Sequence, residues 1–170
     1  MSPAQLPPAE YYASLPKHIA AAGAVIHDGA GRILLVQPAY RDDTWEIPGG
    51  GLDAGEDPLQ AVEREVREEL GRDHTPGRLL VVDWVPEQSD GCPPLVNYVF
   101  DGGLITAEQT GTQLTLNADE LIAWHLAAPD EWDTLLAPHM ARRLRACSRA
   151  LAEGTTLYLQ HGFAPAAHHI

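Results

Sequence analysis

Three glutamates lie close together at the spacing of a helix surface: Glu65, Glu68 and Glu69. At about 100° of rotation per residue, Glu69 lies about 40° to one side of Glu65 and Glu68 about 60° to the other. Like charges four residues apart, such as Glu65 and Glu69, destabilise a helix by roughly 0.2–0.5 kcal/mol. A divalent cation between them would convert that repulsion into coordination, since carboxylate oxygens are the ligands that Mg²⁺ and Mn²⁺ prefer. The spacing therefore makes a metal site one interpretation of this segment.

The other interpretation is a solvated helix face crossed by ion pairs, which is what a run of charges usually forms. It explains the pairs Glu63–Arg67 and Glu68–Arg72, since both have the favourable i,i+4 spacing. It gives no partner of opposite charge to Glu65 and Glu69. From the helix alone, both interpretations stay open.

A run of three glycines, Gly49 to Gly51, follows Pro48 and precedes the acidic segment. Glycine lets the backbone approach neighbouring groups closely. Packed beside the helix, this loop could offer a backbone carbonyl as a further metal ligand. Taken alone, the same run is equally typical of an ordinary turn.

The acidic segment has the features of a well-defined amphipathic helix. Asp57 is a good N-cap, Pro58 suits the first helical position, Gln60 completes a capping-box pattern and Gly71 ends the helix. Apolar residues recur every three or four positions and predict one buried face: Leu59, Val62, Val66 and Leu70. One flank of this helix is therefore core, and the neighbouring flank is acidic.

Apolar runs separated by turn residues predict the strands around this helix. They are Ala20–His27 and Arg32–Gln37, which form a hairpin, followed by Leu79–Val85, Leu95–Phe100 and Leu121–Leu126. A second helix is predicted from about Pro138 to Glu153. This order of elements favours an α/β (α+β) fold, with helices packed on a mixed sheet. Residues 17–160 form the predicted domain, between an irregular lead-in at 1–16 and a flexible tail at 161–170.

The segment from Gly50 to Gly71 resembles the Nudix box of the Nudix hydrolases. Gly50 is followed after five residues by Glu56 and after seven more by the run Arg64 to Gly71, and Trp45 to Gly50 is similar to the usual lead-in. Every fixed residue type of the box is present. One position departs from the pattern, because Arg72 stands where the family has an aliphatic residue, and Arg72 could pair with Glu68.

The resemblance implies a Nudix-type α/β/α sandwich with a mixed sheet, and a divalent-metal-dependent pyrophosphohydrolase. The implied reaction is attack of an activated water on one phosphorus of a nucleoside diphosphate linked to another moiety, with Mg²⁺ or Mn²⁺ as cofactor. The implied substrates include a nucleotide sugar such as ADP-ribose, a (modified) nucleoside triphosphate or a dinucleoside polyphosphate. A Nudix-like sensor that binds a nucleotide without cleaving it is the alternative.

The resemblance also assigns roles within the box. It implies metal ligation by Glu65, Glu68 and Glu69, with the carbonyl of Gly49 as a fourth ligand. It implies that Arg64 orients the glutamates and that Glu56 supports Arg64. The general base is a box glutamate or a downstream carboxylate, for which Glu120, next to Asp119, is the candidate; an ordinary loop acid is the alternative there. Tyr40 and Arg41 are candidate substrate-binding residues.

The charge composition of the chain limits the classes of partner that it can bind. The 170 residues carry 24 acidic and 11 basic side chains, a net charge of −13. Such a protein repels nucleic acids and anionic membranes. The partner that the resemblance implies is therefore a small nucleotide rather than a nucleic acid. Two widely separated cysteines, Cys92 and Cys147, argue against a disulfide scaffold and favour the reducing cytoplasm. The family resemblance is compatible with a homodimer.

Overall fold

The computed structural model describes residues 6–41 and 43–166. The helices are α1 (Pro8–Ser14), α2 (Pro58–Leu70), α3 (Ala107–Gln113), α4 (Trp132–Leu135) and α5 (Pro138–Glu153). The strands are β1 (Ile19–His27), β2 (Ile33–Pro38), β3 (Gly49–Gly51), β4 (Leu79–Val85), β5 (Leu95–Leu104), β6 (Leu121–Ala127) and β7 (Leu157–Gln160). No helix among the described residues is long and apolar enough to cross a membrane.

One mixed sheet organises these elements. Its strand order is β6-β2-β1-β5-β4-β7, and β3 pairs with β1 beside this path. The pairs β1–β5 and β4–β7 are parallel, whereas β1–β2, β1–β3, β2–β6 and β4–β5 are antiparallel. The predicted mixed sheet is therefore confirmed.

Helices cover both faces of the sheet because its strands alternate apolar side chains between them. On β1, Ile26 packs in the cluster that contains the apolar face of α2, whereas Val25 packs in the cluster that contains α5. The α2 cluster includes Val62, Val66 and Leu70. Leu59, predicted on the same buried face, is 46% exposed, because it lies in the first turn of the helix. The α5 cluster includes Leu144 and Cys147. The result is the expected α/β/α sandwich.

The predicted strands and both predicted helices are present, with ends shifted by a few residues. The sequence patterns missed five short elements: α1, β3, α3, α4 and β7. The seven residues of α1 lie in the predicted irregular lead-in and bury no side chain. At the other end, His161–Phe163 forms a turn held to β4 and β7, although residues 161–170 are predicted to be flexible. These elements are too short for an apolar period to show.

A buried ion pair joins β4 to α5. Asp83 on β4 accepts a hydrogen bond from Arg143 Nε on α5 at 2.7 Å and another from the Gly162 N–H at 3.0 Å. Asp83 is 0% exposed and Arg143 is 5% exposed. A desolvated charge is stable only when it is paired, so this contact fixes α5 and the C-terminal turn against the sheet.

We expect His139, at the start of α5, to make the folded protein less stable at acidic pH. Burial, and then the positive charge of Arg143, lowers the pKa of His139 to about 4. The same side chain in the unfolded protein has a pKa of about 6.5. As the pH falls from about 6.5 to 4, the unfolded state therefore takes up a proton before the folded state does, and stability is lost.

We expect the melting temperature of the native protein to fall further over this pH range than that of His139→Gln, by about 2–4 °C. Thermal unfolding followed by circular dichroism at pH 7, 5.5 and 4.5 measures the difference. Parallel pH profiles for the two proteins would contradict the prediction.

Candidate active site

The acidic helix α2 is capped as its sequence predicts. Asp57 accepts hydrogen bonds from the N–H groups of Leu59 (2.8 Å) and Gln60 (3.0 Å), and Gln60 Oε1 accepts from the Asp57 N–H (3.0 Å). Gly71 ends the helix in the left-handed conformation, at φ +63°. These contacts fix where α2 begins and ends, and so which of its side chains face the glycine run.

The glycine run lies against α2 because it forms a strand. Gly49 pairs with Gly23 of β1, and Gly51 pairs with Ala21. A Cβ at Gly50 would overlap the carboxylate of Glu65. A Cβ at Gly51 would meet no atom within 4 Å. Only glycine at position 50 leaves room for the Glu65 carboxylate beside the loop.

Gly50→Ala is therefore expected to displace Glu65 and to lower catalytic turnover by about a hundredfold, because a shift of about 1 Å at a reacting centre has an effect of that size. Gly51→Ala adds the same methyl group one residue further along and should retain most activity. Steady-state kinetics on the two variants, with thermal unfolding of both, measures the contrast. Equal activity in the two variants would show that the Glu65 position is unimportant.

Arg64 joins the glutamates of the predicted site. Its Nε and Nη2 donate to both oxygens of Glu56, at 2.8 and 3.0 Å. Its Nη1 donates to Glu65 at 2.9 Å and to Glu68 at 3.1 Å. The hydrogen bonds from Arg64 lower the pKa of Glu56 to about 2. The structure thus brings together four of the residues singled out in the sequence, with Arg64 at their centre.

Glu69 lies on the buried side of this group. It is 8% exposed, and its Oε2 accepts a hydrogen bond from the Gly49 N–H at 3.0 Å. Burial, and then the charges of Glu65 and Glu120, raises the pKa of Glu69 to about 8 despite the Gly49 bond. Burial also raises the pKa of Glu65, against the effect of Arg64. Buried carboxylates that repel one another are a donor set suited to a divalent cation.

The side chains are not arranged as a complete metal site. Within residues 6–41 and 43–166, no group of three or more His, Cys, Asp or Glu residues is close enough to hold an ion. Arg64 takes the place of a cation between Glu65 and Glu68, and Glu69 faces the Gly49 N–H. The residues fit a divalent cation by their chemistry and charge, while the Gly49 carbonyl stays a proposed ligand.

Glu120 lies beside the box glutamates, although it is 51 positions after Glu69. Its loop is held by hydrogen bonds from the Ala39 N–H to the Glu120 carbonyl (2.6 Å) and from the Asn117 N–H to the Glu69 carbonyl (3.0 Å). Glu69, Glu120 and Asp119 line a cavity of about 240 Å³, which we term the acidic cavity. The candidate downstream carboxylate is therefore placed where it can reach the same ligand as Glu69.

Glu46 belongs to this site and was missed in the sequence. It lines the acidic cavity, and its Oε1 lies 2.5 Å from Arg41 Nη2 and 3.4 Å from the Tyr40 hydroxyl. The two predicted substrate-binding residues thus meet at one carboxylate. Its place directly after Trp45, within the lead-in to the glycine run, was the signal that could have indicated it.

Arg72 does not form the ion pair that its spacing suggests. Glu68 pairs with Arg64 instead, and among the described residues Arg72 forms no ion pair. The Arg72 Nη1 atom is buried without a hydrogen-bond partner. α2 ends at Leu70, and the left-handed Gly71 turns the chain away from the helix surface. Arg72 therefore lacks the i,i+4 relation to Glu68 that it would have in a continuous helix.

The NUDIX domain family model matches residues 17–147 of the chain. This match covers strands β1 to β6 of the sheet, with the glycine run, α2, Glu120 and most of α5. The chain therefore belongs to the Nudix family.

Three similar proteins illustrate the match. The chain is 38% identical over 99 residues to the 8-oxo-dGDP phosphatase of Danio rerio, a match covering 57% of this chain and 27% of that protein. It is 43% identical over 49 residues to the RNA pyrophosphohydrolase of Halorhodospira halophila, covering 29% and 26% of the two proteins. The crystal structure of the MutT protein from Methanosarcina mazei has a TM-score of 0.63 and 26% identity, covering 83% of this chain and 99% of that one.

The chain spans only about a quarter of the length of these two curated relatives. The structural match extends over nearly the whole of the MutT protein. The comparisons thus define the family and the fold.

Proposed function

We propose that the protein is a divalent-metal-dependent pyrophosphohydrolase that cleaves the diphosphate linkage of a nucleoside diphosphate joined to another moiety. The observation that carries the proposal is that α2 places Glu69 in the acidic cavity together with Glu120, while Glu65 and Glu68 of the same helix are held side by side by Arg64. The names of the relatives support the same reaction class, since both describe cleavage of a phosphate chain.

The charges of the site suit this reaction only with a cation bound. A phosphate chain would be repelled by the acidic cavity and by a net charge of −13. When bound, Mg²⁺ or Mn²⁺ would neutralise phosphate charge and lower the pKa of an attacking water. Glu65, Glu68 and Glu69 would hold it, and the Gly49 carbonyl would complete the set.

The remaining residues position these groups and move a proton. Arg64 keeps Glu65 and Glu68 in place through its bonds to both, and Glu56 holds Arg64 through two bonds. Glu120, which lines the acidic cavity with Glu69, would accept the proton of the attacking water. Water oxygen then forms a new bond to phosphorus, the bridging P–O bond breaks, and the leaving phosphate carries away the electron pair.

The substrate class follows from charge and from the similar proteins. We propose a small nucleotide: a nucleotide sugar such as ADP-ribose, or a nucleoside di- or triphosphate with a modified base. An RNA end is the less favoured substrate, because the net negative charge opposes nucleic-acid binding. The free thiols of Cys92 and Cys147 support action in the reducing cytoplasm. A homodimer is proposed from the family resemblance.

A panel assay tests the proposal. The purified protein is incubated with Mg²⁺ or Mn²⁺ and ADP-ribose, 8-oxo-dGDP, a nucleoside triphosphate, a dinucleoside polyphosphate or a 5′-triphosphorylated RNA in ¹⁸O-water. Mass spectrometry should find ¹⁸O in one phosphate product, only with metal present. Binding of a panel compound that raises the melting temperature without any cleavage would instead identify a nucleotide sensor.

A further inference from the structure

Glu46 lies on the wall between two cavities. One is the acidic cavity; the other, of about 350 Å³, is lined by residues that include Arg41, Trp45 and Met140. Glu46 lines both, and its backbone is fixed to β2 by reciprocal hydrogen bonds with Val36 at 2.8 and 2.9 Å. Because Glu46 lines both cavities, it marks the junction where the two adjoin.

Arg41 is the single permanently cationic side chain among the described residues that line either cavity. Of the described residues that line the acidic cavity, four are acidic and none is lysine or arginine; the four are Glu46, Glu69, Asp119 and Glu120. A bound metal ion would neutralise part of the charge of a diphosphate, but a second cation is needed for the phosphate further from the metal. Arg41 lines the second cavity rather than the acidic one, but its guanidinium contacts Glu46, which lines both, so it can provide this charge to a ligand that extends from one cavity to the other.

The contact between Arg41 and Glu46 orients the guanidinium without exhausting its donors. One nitrogen, Nη2, lies 2.5 Å from Glu46 Oε1. A guanidinium carries five N–H donors in a fixed fork, so others can bind phosphate oxygens. The side chain of Arg41 is 49% exposed and extends from a loop, and an unrestrained arginine there would sample many rotamers. The Tyr40 hydroxyl is 3.4 Å from the same oxygen, which makes a weaker contact.

We propose that Glu46 is a positioning residue, which holds the Arg41 guanidinium at the junction of the two cavities so that Arg41 binds a phosphate of the substrate. The inference rests on the proposed function, since it takes a diphosphate as the ligand. Its new content is the role of Glu46, which acts through Arg41 and touches no reacting atom.

Binding of methylenediphosphonate, a diphosphate analogue that cannot be hydrolysed, tests this role without requiring turnover. Isothermal titration with Mg²⁺ present compares the native protein with Arg41→Ala, Glu46→Leu and the double variant. Each single variant should bind about tenfold more weakly, and the double variant no more weakly than Arg41→Ala. Glu46→Gln keeps an oxygen acceptor for Arg41 and should stay within about threefold of native affinity.

The kinetic readout separates positioning from a general loss of structure. With the best compound of the panel, Glu46→Leu should raise KM about tenfold and change kcat less than about threefold. Arg145→Ala is the matched control, because Arg145 pairs with Asp133 at 2.7 Å on the surface and lines neither cavity. Its binding should equal that of the native protein, and thermal unfolding checks that every variant is folded.

Three results would overturn the inference. In the first, the loss of affinity in the double variant equals the product of the losses in the two single variants. In the second, Glu46→Leu binds the analogue more tightly than the native protein; in the third, the native protein does not bind it. Tighter binding would show that Glu46 competes with phosphate for Arg41. Failure of the proposed function would look different, since the analogue would bind with the expected variant pattern while no compound of the panel was cleaved.

Discussion

Glu69→Gln is expected to lower kcat about a thousandfold while the protein stays folded. The substitution keeps the shape of the side chain and an oxygen that can accept from the Gly49 N–H, but it removes the charge that we propose would hold a divalent cation. Stabilisation of transition-state charge by a bound metal contributes several kcal/mol, which corresponds to this loss of rate. Steady-state kinetics over a range of Mg²⁺ concentrations measures it.

The matched control is Glu63→Gln, on the same helix but on the far flank of its apolar face. It should retain nearly native kcat. In the metal-free protein, Glu69→Gln should melt no lower than native, because burial and the neighbouring carboxylates already oppose ionisation of Glu69. Loss of activity in both variants, or unfolding of Glu69→Gln alone, would refute a role for Glu69 in holding metal.

Asp83→Ala is expected to have the largest effect on stability, about 3–5 kcal/mol of the free energy of unfolding. The substitution leaves Arg143 buried without its carboxylate and removes the acceptor of the Gly162 N–H. An uncompensated buried charge is strongly unfavourable, whereas the pair itself is closer to neutral. Urea denaturation followed by tryptophan fluorescence gives the change in unfolding free energy.

Two further variants show whether the loss of unfolding free energy comes from a buried unpaired charge or from lost packing. Replacing both partners by apolar residues, as in Asp83→Leu with Arg143→Met, should recover much of the lost stability. Asp133→Ala breaks the exposed pair with Arg145 and should change the free energy by less than about 1 kcal/mol. If the double variant were as unstable as Asp83→Ala, the loss would come from packing.

The features of α2 were predictable because they depend on residues within a turn or two of each other. The Asp57 cap, the apolar stripe and the common face of Glu65 and Glu69 follow from the geometry of 3.6 residues per turn. The box pattern from Gly50 to Gly71 adds the family, and with it the expected roles of Arg64 and Glu56. The contacts of Arg64 with Glu56, Glu65 and Glu68 agree with that expectation.

The acidic helix, the main strands, the glycine run and the resemblance that they carry are readable from the residues alone, since each depends on residue types at short spacing. Three contacts are visible only in the folded chain: Glu120 lines one cavity with Glu69, Glu46 contacts Arg41 beside that cavity, and Asp83 pairs with Arg143 across 60 positions. These contacts depend on the pairing of β1 with β3 and of β2 with β6, and on where α5 packs. Strand register and helix packing are set by the whole core, so no local pattern of residues specifies which distant side chains will meet.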